Sequence, residues 1–112
     1  MSKITTAEAA VADIADGSTI ASVGVIGWVT PDSCLAALGR RFATTQSPAN
    51  LTLYLPVGTG DAVEIRGMDH LAQEGLLKRV VSGSYINPVH PKTGKRPEMM
   101  RLIRENKIEA YS

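Results

Sequence analysis

Four short apolar runs, each set off from the next by a segment of helical pattern, constrain this chain more than any other feature. They lie at 19–25, 51–55, 76–82 and 108–111. Helical segments between short apolar strands predict βαβ crossovers and a parallel sheet. Parallel sheets are ordinarily covered on both faces. The expected fold class is therefore α/β, three-layer α/β/α with a mainly parallel sheet.

The helical segments carry their own punctuation. Thr5-Thr6-Ala7-Glu8 reads as a capping box, with Thr5 at the N-cap and Glu8 at N3. Ile4 and Ala9 stand where a hydrophobic staple would. Ala7, Ala10, Val11 and Ile14 then share one face, and Asp16-Gly17 ends the helix. Thr30-Pro31-Asp32 starts a second helix, with Pro at the first helical position and an acid in the first turn. Its buried stripe is Leu35, Leu38 and Phe42, and 46–48 ends it. Residues 68–73 read as one or two helical turns. Residues 97–106 read as a last helix with Met99, Met100, Leu102 and Ile103 inward.

Composition narrows the class. Twelve Lys and Arg against eleven Asp and Glu leave a net charge of +1. That balance argues against a nucleic-acid-coating protein or a polybasic membrane-surface protein. Hydrophobic content of 44% with 21% charged residues fits a folded chain rather than a disordered one. No apolar run reaches the ~20 residues needed to span a bilayer, and the start has no basic segment leading into an apolar one. One cysteine, Cys34, excludes an internal disulfide and a paired-cysteine zinc site. The expected setting is cytoplasmic. The 112 residues suggest one domain, 1–112. Its last strand is followed only by Ser112, so the domain is expected to be incomplete and its sheet edge unfinished. An open edge invites pairing, so a homo-oligomer or a partner chain is expected, with contacts on the last strand and last helix.

Candidate chemistry sits in loops that follow strands, where open α/β sheets bind ligands. Gly24 and Gly27, with Val25 between them, lie between a strand and a helix start. Backbone N–H groups there favour an anion or a developing oxyanion. The same glycines could instead only make a tight turn. Gly58-Thr59-Gly60-Asp61 forms a second loop, either a close-approach loop on the same rim or a plain turn. His70 follows Asp69 and is either a polar substrate contact or a satisfied structural histidine. His90 falls in a Pro-, Lys- and Gly-rich loop and reads as solvated. Neither His has a partner at metal-ligand spacing, so no metal is expected. Cys34 reads as a small buried residue. Lys92, Lys95 and Arg96 make a basic loop, either solvated or in contact with a phosphate-bearing ligand or a neighbouring subunit.

The stretch from Asp16 to Pro31 resembles the signature of the family I CoA-transferases. That signature is Asp-Gly, two free positions, three apolar residues, Gly-Gly-Phe, three free positions and Gly-x-Pro. Asp16, Gly17, Gly24 and Pro31 match it. Ser22, Val23, Val25 and Val29 depart from it. Further segments follow in the family's order: Arg41-Phe42, 47–53, Gly60-Asp61, 67–72, 75–85 and 106–111. They are most similar to the N-terminal part of fused-chain short-chain acyl-CoA transferases of the propionate and acetate type.

The resemblance implies an activity: moving CoA between a short-chain acyl-CoA and a carboxylic acid. It implies CoA and acyl-CoA as substrates and no tightly bound cofactor. In the family, a glutamate attacks the thioester, a mixed anhydride forms, and CoA thiolate returns to give a glutamyl-CoA thioester. Gly24, Val25, Gly27, Gly58, Gly60 and His70 are the substrate-binding candidates. None of Glu8, Glu64, Glu74, Glu98, Glu105 and Glu109 stands in the context of the family nucleophile, so that glutamate is expected outside this chain. The catalytic residue is therefore unassigned, and this chain alone is expected to be inactive. Trp28 and Val29 replace smaller family residues and could narrow an acyl pocket. Two other readings stay open. One is a non-catalytic acyl- or phosphate-binding or assembly module of the same fold. The other is a small stand-alone α/β enzyme such as a sugar-phosphate isomerase.

Overall fold

The computed structural model describes residues 3–25, 28–60, 66–85, 90–94 and 96–112. In chain order its elements are α1 (Ala7–Val11), β1 (Thr19–Ala21), α2 (Asp32–Thr45), β2 (Leu51–Leu55), a 3₁₀ turn (Gly67–Leu71), β3 (Leu77–Ser82), α3 (Glu98–Arg104) and β4 (Glu109–Tyr111). The four strands form one sheet in the order β1-β2-β3-β4. Every neighbouring pair is parallel. The expected α/β fold and parallel sheet are what the chain adopts.

Strand order fixes where the helices go. Each strand is added on the same side of the last, and crossovers between parallel strands are right-handed. Connecting segments built that way all stack on one face. Accordingly α1 packs on α2, α2 on the 3₁₀ turn, and the turn on α3. Of the three layers expected, the described residues supply the sheet and one helical layer.

Register shows the two faces of the sheet. Ile20, Leu53, Val80 and Ala110 lie side by side across the four strands. In this row Leu53 and Val80 are wholly buried, with Leu51, Leu55 and Leu77 beside them. Leu35, Leu38 and Phe42 of α2, Met68 and Leu71 of the turn, and Met99 and Leu102 of α3 complete the core. Each such side chain contributes roughly 1.5–3 kcal/mol on burial. The opposite face carries Thr19, Thr52, Arg79 and Glu109 in one row and Ala21, Tyr54, Val81 and Tyr111 in the next. Tyr54 and Tyr111 are about half exposed there, at 53% and 52%.

Several local expectations shift. The N-cap of α1 is Thr6, not Thr5; its hydroxyl accepts the Ala9 N–H at 3.1 Å. Glu8 does not close a capping box but pairs with Arg40 of α2 at 2.7 Å. Ile4 is 90% exposed, so no staple forms, and Ala10 points to solvent. Arg41 closes the other end of α1, donating to the carbonyls of Val11 and Ile14 at 2.9 Å each. Strand β1 stops at Ala21 rather than at residue 25. In α3, Met99 and Leu102 are buried while Met100 and Ile103 are only half-buried. Cys34 is likewise half-buried. Among the described residues, no helix is long and apolar enough to cross a membrane.

Candidate functional site

Because the strands run one way, the loops after β1, β2 and β3 leave from one rim of the sheet. The first two loops meet at Gly24. Its φ is +134°, a conformation open to glycine. A Cβ there would stand 2.5 Å from the Thr30 hydroxyl and 3.1 Å from the Thr59 methyl. Gly24 therefore lets the β1–α2 loop close against the loop after β2. Thr59 is fully buried, and both its hydroxyl and its carbonyl lie within reach of the Met68 N–H, at 3.1 and 3.3 Å.

Gly67 packs back to back with this loop. A Cβ on Gly67 would stand 2.6 Å from the Thr59 carbonyl carbon and 2.7 Å from the Gly60 nitrogen. Gly58 and Gly60 are buried in the same loop. Val25, on the first loop, is about half exposed and exchanges backbone hydrogen bonds with Trp28 at 3.0 and 2.8 Å. Gly27 and Asp61 lie outside the described residues.

An acid–base pair stands beside these loops. Asp32, the first residue of α2, accepts the Gly67 N–H at 2.6 Å and faces His70 Nε2 at 3.1 Å through the same oxygen. A carboxylate only accepts hydrogen bonds, so Nε2 carries the proton. Partial burial pushes the Asp32 carboxyl up. The Gly67 N–H, the His70 ring and the nearby Arg66 charge outweigh that and hold it below the ordinary Asp range. The His70 side chain is 17% exposed and that of Asp32 46%. Of the sequence candidates, Gly24, Val25, Gly58, Gly60 and His70 thus gather around one rim. Asp32 and Thr59, which hold that arrangement, were not among them. No spacing in the sequence links residue 32 to residue 70; the crossover brings them together.

The first loop also shows apolar surface. Val23, Val25, Trp28 and Val29 are 60%, 51%, 77% and 82% exposed. Val29 sits at φ +55°, a region a β-branched residue seldom occupies.

Other candidates fall away from the rim. The five described glutamates all pair with cations: Glu8 with Arg40, Glu74 with Lys107, Glu98 and Glu105 with Arg101, and Glu109 with Arg79. Glu64 and Lys95 lie outside the described residues. His90 orders its own turn, its Nδ1 accepting the N–H groups of Lys92 and Thr93 at 3.2 Å. A groove of about 480 Å³ lies on the helical layer between α2, the 3₁₀ turn and α3. Its Arg40 is paired with Glu8, and its Gln73 amide donates to the Gly39 carbonyl at 2.8 Å. Among the described residues, no three His, Cys, Asp or Glu side chains are grouped to hold a metal ion.

No family model matches the chain. Individual relatives do. The chain is 34% identical over 110 residues to "Acetate CoA-transferase YdiF" of Escherichia coli strain K12, and equally to that of E. coli O157:H7. The match covers 97% of this chain and 19% of the relative. A crystal structure of the acyl-CoA transferase YdiF from E. coli O157:H7, as a thioester complex with CoA, superposes with a TM-score of 0.82 over 96% of this chain and 20% of that one. Its apoenzyme superposes with a TM-score of 0.78. This chain spans about a fifth of the length of the relatives it matches. By shared sequence and shared fold, these residues are homologous to that fifth of the acetate CoA-transferase YdiF.

Proposed function

We propose that these 112 residues form a substrate-facing portion of a CoA-transferase that moves CoA between a short-chain acyl-CoA and a carboxylic acid. The observation that carries this is the closed pair of glycine loops on the strand rim, in a chain homologous to an acetate CoA-transferase. Backbone N–H groups of Gly24, Gly58 and Gly60, with Gly27 as a further candidate, are the donors offered to substrate and to the oxyanions of thioester attack. The Val25 N–H is taken by the Trp28 carbonyl, so Val25 takes part through its exposed side chain. His70 supports the same rim. CoA and acyl-CoA are substrates, and no tightly bound cofactor takes part.

The nucleophilic glutamate comes from polypeptide outside these residues. The five described glutamates are held in surface ion pairs, which supports that reading. The same outside polypeptide, or a second copy of the chain, covers the bare sheet face that displays Tyr54 and Tyr111. The setting is the cytoplasm.

The test is CoA exchange. The purified chain is mixed with acetyl-CoA and propionate, and propionyl-CoA is followed. The chain alone should give none. Adding the complementary polypeptide, taken as the YdiF sequence beyond the matched span, should restore exchange. Exchange by the chain alone would contradict an outside nucleophile. A stable complex that shows no exchange would overturn the transferase reading.

A further inference from the structure

We propose that Asp32 and His70 are a positioning pair, which fixes the spacing of the two glycine loops through Gly67 and Thr59 without touching substrate. What those loops do rests on the transferase reading; how they are held does not.

The contacts form an unbroken path. Asp32 opens α2, directly after the Gly24 loop, and Gly67 opens the 3₁₀ turn after the Gly60 loop. One Asp32 oxygen binds both the Gly67 N–H and the His70 ring. Hydrogen bonds to an ionised acceptor are roughly twice as strong as neutral ones. Gly67 presses directly on the Thr59 and Gly60 backbone, with no side chain between them to absorb movement. Thr59 in turn abuts Gly24 through its methyl group. A shift of the carboxylate is thus relayed to both loops.

His70 is itself anchored, because its carbonyl and that of Gly39 both accept from the Gln73 amide, at 3.3 and 2.8 Å. The neighbouring Asp69 is occupied elsewhere: its two oxygens accept the N–H groups of Glu98 and Met99 at the start of α3. The Arg66 charge also favours the ionised form of Asp32. Misplacing a reacting group by about 1 Å can cost about 10²-fold in rate. A pair that sets loop spacing therefore acts on turnover rather than on affinity.

Two readouts on the His70 variants test this. His70→Ala removes the ring, and His70→Gln returns an N–H donor near the place of Nε2. In the 112-residue chain, His70→Ala should speed Gly67 and Met68 amide exchange about tenfold, the scale of one charge-assisted hydrogen bond. Exchange at Leu53 and Val80 should not change, and His70→Gln should return Gly67 to within about threefold of the parent. In the reconstituted transferase, His70→Ala should lower kcat about tenfold with KM within about twofold, the pattern of an interaction realised in the transition state. His70→Gln should restore kcat. Parent-like Gly67 exchange in His70→Ala, or parent-like kcat per folded molecule, would overturn the proposal. Should His70→Ala fail to fold, Asp32→Asn takes its place under the same criteria, since it keeps an acceptor oxygen but loses the charge. If the reconstituted parent shows no transfer, the transferase reading falls, and Gly67 exchange alone decides whether the pair holds the loops.

Discussion

The carbonyl oxygen of His70 occupies the space that a side chain on Gly39 would need. Gly39 lies within α2, where glycine costs about 1 kcal/mol relative to alanine. The helix accepts that cost because it lets the 3₁₀ turn bearing His70 lie directly on α2. Gly39→Ala therefore trades a propensity gain of about 1 kcal/mol for a backbone collision, and overpacking of this kind costs about 1–3 kcal/mol or more. The variant should be less stable by up to about 2 kcal/mol in urea unfolding. A variant at least as stable as the parent would refute the close packing.

Val29 makes the opposite case. Its left-handed φ of +55° is strained for valine, at about 1–2 kcal/mol. Glycine would remove the strain but adds about 0.5–1 kcal/mol of unfolded-chain entropy. Val29→Gly should therefore raise stability by about 0.5–1 kcal/mol, read as a higher urea midpoint at unchanged m.

Helix α3 lacks a cap of its own, since Pro97 at its N-cap offers no side-chain hydrogen bond. Asp69 supplies one from the 3₁₀ turn, at 3.0 and 2.9 Å. Losing a capping side chain costs about 1–2 kcal/mol. Asp69→Ala should destabilise by that amount, and amide exchange at Glu98 and Met99 should rise more than at Leu53.

Acid should act through Asp32. Its carboxyl is held below the ordinary Asp range. A folded-state pKa lower than the unfolded one adds stability above the unfolded pKa and loses it as pH falls through the folded one. The parent should therefore be more stable than Asp32→Asn at pH 7 and converge on it below about pH 4. With Asp32 about half exposed, solvent screening keeps the difference at pH 7 under about 1 kcal/mol. Parallel pH curves for the two proteins would contradict the assignment.

The strands were legible because short apolar runs between Gly and Pro stops leave few other structures open. Leu51–Leu55 lies where the sequence places it. Strand β1 is shorter than its apolar run because the backbone turns away at Gly24, which no residue count announces. Two adjacent threonines could each cap α1, and a tertiary partner, Arg40, drew Glu8 out of its local role. The rim glycines were readable as turn signals. What holds them together was not: Asp32 and His70 are 38 positions apart, and only the path of the crossover makes them neighbours.

The strand order never doubles back: β1, β2, β3 and β4 advance steadily across the sheet. In doubly wound sheets, ligands settle where the order reverses and two adjacent loops part toward opposite faces. Within the described residues there is no such reversal, so every loop leaves toward the same helical layer. The rim therefore presents a ligand with one wall rather than a crevice. If the transferase proposal holds, a second wall from other polypeptide would have to face this one before a thioester could be gripped.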